Sequence, residues 1–445
     1  MRLKKYSVAI AIASLVLSSS CDDGRRKRQM ETNRKESIEK TKVTTGSSRT
    51  PIENSNQLET ELSSIKTLRF FFENSGSMNG YVSEHYEIKT AISRLLSEAE
   101  YESFNAYLIN TEIHRFLVKP ENISSSLTKA GIEKGNIHTS DLNFILKTVL
   151  DSTKRYDVGV LVTDGIYSIA GNANTVLGQL QSASNFTAKH FENRLKQDKN
   201  LQTVLIKLNS QFKGKYFPVQ GKGIAINQRR PYYLWLFGSS GSIASIQNSL
   251  NFSELTGYQH HLIFNTTANK KVDYNIVPGF MNKGSFRQHQ DPKLRPNHIT
   301  SVKKDRRSKD FQFSVGVDLS SLPVQKSYLL IKANYEILEN AEYTIQEIHE
   351  VKSLSPAQIN KLNNPKISHV IVLHTSKNPY GSLKLALKKQ LPTWVSQTNS
   401  LDDTNIKGDE KTTLGFNYLV GAIERAYSDV SNTQHYINLP LNIQN

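Results

Sequence analysis

The chain has a single cysteine, Cys21, among 445 residues, so no intramolecular disulfide can brace it. Acidic residues are scarce beside basic ones, 40 against 56, leaving a formal net charge of +16. That balance favours anionic partners: acidic proteins, lipid headgroups, anionic glycans. Nucleic acid is the class least supported, because the aromatic residues alternate within strand patterns, where they build core. Hydrophobic residues make up 37%, enough for a core under a very polar surface, and the length accommodates two or three domains. Beyond the first 20 residues no apolar run approaches the roughly 20 residues that span a bilayer. Catalytic signatures are missing as well. Gly221-Lys222-Gly223 lacks the Gly-Lys-Ser/Thr ending of a phosphate loop. In Gly238-Ser239-Ser240-Gly241-Ser242 a serine stands where a nucleophile elbow needs its final glycine. His260 and His261 are adjacent, so on a strand they face opposite ways and make a poor metal pair. No internal repeat is present. A non-enzymatic chain is expected. The alternatives are an envelope-polymer hydrolase with its active site in the C-terminal region, and a metal-free scaffold.

What is present begins at the N-terminus. Arg2, Lys4 and Lys5 precede an apolar stretch at 8–17, then three serines, then Cys21. This resembles a bacterial lipoprotein signal peptide over residues 1–20. The resemblance implies a lipidated Cys21 as mature N-terminus and a place in the cell envelope, anchored to a membrane and facing periplasm or cell surface. Ser18 stands where that family prefers leucine, and ordinary cleavage after Ser20 is the competing reading. Residues 21–62 are polar and charged, too poor in apolar side chains to bury a core. They are expected to form a flexible tether whose basic run at 25–28 could touch anionic headgroups.

From 66 to 252 strand and helix patterns alternate. Strands are expected at 67–73, 104–110, 113–118, 158–163, 204–208 and 232–237, with helices between them. The tight link after 110 makes 113–118 an antiparallel edge strand. The other five are expected to be parallel, in a doubly wound, mostly parallel six-stranded α/β sheet. Residues 210–230 read as an inserted loop or hairpin. Beyond 255 a period of two dominates, at Phe311, Phe313, Val315 and Val317, at Leu329, Ile331, Ala333 and Tyr335, and at Leu383, Leu385 and Leu387. Residues 255–445 are expected to form a β-rich region with helices near 356–362 and 412–427.

Three short segments carry chemistry. The apolar run 68–72 ends in Glu73, followed by Ser75, Gly76 and Ser77. Thr139 and Ser140 open a helical pattern. The apolar run 158–162 ends in Thr163, Asp164 and Gly165. Oxygen donors at the carboxyl ends of neighbouring strands suit a hard divalent cation. Glycine at 76 lets the backbone curl so that both serine hydroxyls point one way. In order and type these segments resemble the von Willebrand factor A (vWA) domain and its metal-ion-dependent adhesion site, with Glu73 where that family has aspartate. The resemblance implies a metal site of Glu73, Ser75, Ser77, Thr139 or Ser140, and Asp164. Its ion would be Mg²⁺, with Mn²⁺ or Ca²⁺ as substitutes, and one coordination position would be left for an acidic side chain of a partner protein. Residue type selects Thr139 as the third-segment ligand, and alignment on Leu142 selects Ser140.

Overall fold

The computed structural model describes residues 64–84, 86–169, 173–266 and 270–445. The expected signal peptide 1–20, its Cys21 and the expected tether 21–62 lie outside the described residues. The described residues all fall in one compact unit.

Its largest sheet has seven strands: β1 (Ile65–Glu73), β2 (Tyr101–Ile109), β3 (Ile113–Phe116), β4 (Asp157–Thr163), β5 (Leu201–Tyr216), β6 (Ile224–Ser239) and β7 (Tyr258–Phe264). They lie in the order β3-β2-β1-β4-β6-β5-β7. Only the pairings of β1 with β2 and with β4 are parallel. Every other pairing in the sheet is antiparallel. The expected six-stranded, doubly wound parallel sheet is therefore wrong, and the connection between β5 and β6 explains why. Only residues 217–223 join these strands. A parallel return needs a crossover of about a dozen residues or more, so the chain can only turn back as a hairpin. Of the two readings of 210–230, inserted loop or hairpin, the hairpin is the one found. It is ladder, paired from Ser210↔Arg230 out to Tyr216↔Ile224. β6 thereby occupies the place beside β4 that a parallel strand was expected to fill.

Alternation along β1 sends Phe70 and Phe72 into one core and Phe71 into another on the opposite face. Helix α1 (Glu87–Glu98) covers the first face with Ile88, Ile92 and Leu95. Helices α2 (Leu142–Ser152) and α3 (Ala173–Gln197) cover the second, with Leu146 and Val149 from α2 and Leu180 and Phe191 from α3. Helix α4 (Ser240–Ser249) returns to the first through Ile243 and Ile246.

The rest of the described chain adds two larger sheets and a two-residue parallel ladder of Asn399–Ser400 with Thr413–Leu414. One of the two sheets has the order β12-β15-β16-β10-β9 and the other β13-β14-β11-β8. The strands are β8 (Tyr274–Val277), β9 (Ser285–Gln288), β10 (His298–Lys303), β11 (Phe311–Val317), β12 (Tyr335–Leu338), β13 (Thr344–Glu350), β14 (His369–Thr375), β15 (Gly381–Lys388) and β16 (His435–Ile443). Phe311, Phe313, Leu383, Leu385 and Leu439 close a separate core between them. Residues 329–333, read as strand, instead run from the end of a short helix (Lys326–Leu329) into a 3₁₀ turn (Lys332–Asn334), and pairing starts at Tyr335. Helices α5 (Thr393–Thr398) and α6 (Phe416–Ser431) leave this region and pack on the seven-stranded sheet. Trp394, Phe416, Leu419 and Tyr427 share a core with Phe71, Phe191 and Trp235.

Candidate functional site

The parallel register of β1 and β4 sets Phe72 opposite Val162. Glu73 and Thr163 therefore end neighbouring strands side by side, and Asp164 follows at once. Both carboxylates are buried, Glu73 at 2% exposure and Asp164 at 4%. Asp141 caps α2 by accepting hydrogen bonds from the backbone N–H groups of Asn143 and Phe144. That fixes the chain entering the helix and turns Ser140 toward β1. The Ser140 hydroxyl donates to Glu73 Oε1 at 2.7 Å, and the Thr163 hydroxyl donates to Glu73 Oε2 at 2.5 Å. Ser77 donates to Asp164 Oδ2 at 2.6 Å, and its oxygen lies 3.0 Å from that of Ser75. Gly165 turns the chain after β4 in the left-handed region, at φ 70°. A side chain there would also collide with the ring of Tyr233, 2.8 Å from an added Cβ.

Glu73, Ser75, Ser77, Ser140 and Asp164 thus converge on one sheet edge. Thr139 lies on the rim, exposed, where it accepts a hydrogen bond from Asn136. Ser140 is the member of that pair inside the cluster. Burial is the main cause that raises the Glu73 carboxyl, to about 8, and the charge of Asp164 adds to it. Hydrogen bonds from Thr163, Ser140 and Ser75 oppose the rise. Burial raises the Asp164 carboxyl too, against the hydrogen bonds of Ser77 and the Ile166 N–H and the charge of Arg230. Arg230 is itself buried. It lies over the Tyr216 ring, 4.5 Å from the centroid, and donates to the Thr412 carbonyl at 3.2 Å.

The cluster opens into a cavity of about 370 Å³. Phe217, Pro218 and Val219, at the turn of the β5–β6 hairpin, form one wall. Asp403 holds that turn in place. Its carboxylate accepts from the Tyr216 hydroxyl at 2.7 Å and from the Val219 N–H at 3.0 Å. Three carboxylates line the cavity, Glu73, Asp164 and Asp403, with no lysine or arginine among the described lining residues.

No protein-family model matches this chain, and no curated protein matches it. The site must therefore be read from its own atoms. Among the described residues there is no group of three or more His, Cys, Asp or Glu side chains arranged to hold a metal. The Glu73–Asp164 cluster is of another kind, two carboxylates supplemented by hydroxyls. Its donors are all oxygen, which fits Mg²⁺, Mn²⁺ or Ca²⁺ and not a soft ion. The sequence reading omitted Thr163, Arg230, Tyr216 and Asp403 from the site. Thr163 was legible as the neighbour of Asp164. The other three reach the cleft through tertiary contacts alone, Tyr216 and Asp403 being 187 positions apart.

Proposed function

We propose that this chain is a membrane-anchored, non-enzymatic binding protein. Its cleft would hold a divalent cation through Ser75, Ser77, Ser140 and Asp164, with Glu73 behind them, and through that ion grip an acidic side chain of a partner protein. The observation that supports this is a cleft walled by three carboxylates, with no lysine or arginine among its described lining residues, in a chain of net charge +16. Two buried carboxylates this close repel one another unless a positive charge or a proton joins them. A bound ion screens them, and its remaining coordination positions attract an anion. The ligand set is that of the vWA resemblance, carried on a different sheet.

Calorimetry on the full chain with Mg²⁺, Mn²⁺ and Ca²⁺ tests the reading. Binding is expected in the native chain and is lost in Asp164→Ala, which removes a full charge. No heat and no thermal stabilisation at millimolar metal, in both the native chain and Glu73→Asp, would sink it. A second reading is favoured by the raised Glu73 carboxyl. A proton in place of a metal would leave a neutral glutamic acid beside Asp164, whose charge Arg230 offsets, and the cleft would be a metal-free scaffold. The anchor has its own test. Cys21→Ala should release the protein from membranes, since each buried methylene of an acyl chain contributes about 0.8 kcal/mol. Retention after a salt wash would refute lipidation.

A further inference from the structure

A second cavity, of about 330 Å³, borders the opposite edge of the seven-stranded sheet from β3. His260, His261, Leu262 and Ile263, consecutive in β7, all line it. Successive strand residues face opposite sides of a sheet, and these do. His260 stacks on Trp394 with ring centroids 5.0 Å apart, while His261 meets Phe252 edge-on. A cavity touched by both sets reaches β7 along its edge, where outward N–H and C=O groups lie. Among the described residues β7 pairs only with β5, and no backbone hydrogen bond links 259–264 to any other segment.

Edge strands are usually blunted by charge, proline or shortness. β3 is four residues long and carries Arg115. β7, reading YQHHLIF over seven residues, has no lysine, arginine, acid or proline. Facing it across the cavity are Val324, Tyr328, Ile331, Leu391 and Trp394. The described lining has no Asp, Glu, Lys or Arg, and burial pulls both histidines below their ordinary range, toward neutrality. Trp394 is only 6% exposed, and its indole N–H has no hydrogen-bond partner among the described residues. Ile331, 45% exposed, stands at the rim.

We propose that this cavity binds an extended, uncharged peptide segment of a partner protein, which adds to β7 as a further strand and places one apolar side chain against Trp394 and Tyr328. Main-chain hydrogen bonds along an open edge give such binding its affinity, and the pocket beside the edge gives it selectivity. A charge-free lining disfavours acidic segments. This grip is therefore chemically distinct from the one at the cation cleft and does not depend on it.

The test uses the full chain and a capped seven-residue peptide alternating threonine and valine around a central phenylalanine. Two further versions of the peptide are N-methylated, each at one of the two alternate sets of amides. Calorimetry measures affinity, and Trp394 emission reports the pocket, because the other tryptophan, Trp235, is sealed in the sheet core. The parent peptide should bind and shift the emission. One N-methylated version and the mouth-blocking variant Ala333→Phe should each bind about tenfold more weakly or worse, the order expected from lost hydrogen bonds. Equal binding of all three peptides would make the cavity a side-chain or small-molecule site and overturn strand addition. So would no binding at millimolar peptide. A concentration-dependent dimer that the peptide fails to disperse would assign the edge to a second copy of the chain and overturn the proposal as well.

Discussion

Glu73 has both carboxylate oxygens engaged by hydroxyls from two different segments, Ser140 and Thr163. Its extra methylene, compared with aspartate, lets it reach the start of α2 and the end of β4 together. Glu73→Gln keeps that shape and removes the charge that Asp164 opposes. In chelator the variant should be at least as stable as the native chain. With metal at a hundredfold over its dissociation constant the native chain should gain about 2.7 kcal/mol, and the variant should gain much less. Thermal melts with and without Mn²⁺ measure both, and equal gains would remove Glu73 from the site. His261 offers a pH test far from the cleft. Burial, with a smaller contribution from His260, lowers its imidazole to about 4. Gln325 donates to the Tyr258 hydroxyl, leaving that hydroxyl to donate to His261 Nδ1 at 2.8 Å, a contact that suits the neutral ring. Between pH 6.5 and 4 the unfolded chain then binds the extra proton, so stability present above pH 6.5 is lost as pH falls through that window. His261→Gln should flatten the slope in denaturant titrations between those pH values. An unchanged slope would mean that the ring is not held neutral.

The elements that were legible were those whose signal is local. β1 and β4 show as apolar runs ending in oxygen donors, and α1 shows as Ile88, Ala91, Ile92, Leu95 and Leu96 on one face. A hairpin was among the readings of 210–230, but β5 and β6 were misjudged as parallel, because strand direction is set by what joins the strands, and residues 217–223 are too few for a crossover. That hairpin also supplies a wall of the cleft, which no local pattern announced. Its outer half seats against the turn Asn79–Val82, where a Cβ on Gly80 would fall 2.4 Å from the Phe212 ring. Asp403 pins its tip. Asp403→Asn keeps the size but leaves one oxygen to serve two donors, and hydrogen bonds to a charged group contribute about 1.5–3 kcal/mol each. Amide hydrogen exchange should speed up over 216–224 and stay unchanged in β1 and β4. Uniform acceleration, or none, would show that Asp403 does not hold the wall.

At the scale of the whole molecule, the period-two patterns beyond 255 were readable as strands, yet the way that region joins the first part was not. α6 shows in the sequence as a helix with one apolar face, and nothing in its own residues names the surface that covers it. The structure places that surface on α3 and the sheet. Phe416 stacks on Tyr233 with centroids 4.6 Å apart, and the Thr413 and Tyr233 hydroxyls lie 2.8 Å apart. Tyr427 packs by Phe191 and Phe264, its hydroxyl 2.8 Å from that of Thr203. Asp403, on the way to α6, holds the cleft wall. A chain cut after residue 252 would keep every residue proposed to bind the cation and lose β7, α5 and α6. It would uncover Leu180, Phe191, Trp235 and Phe237 together, an apolar surface of the kind that monomeric proteins seldom expose. The fragment 64–252 should therefore bind a hydrophobic dye, melt without a cooperative transition and show no metal-induced stabilisation. The chain 64–445 should bind little dye, and the region around α6 should unfold together with the seven-stranded sheet. A soluble 64–252 fragment with a sharp melt and native metal affinity would show that the cleft is self-sufficient and that α6 is an accessory to it.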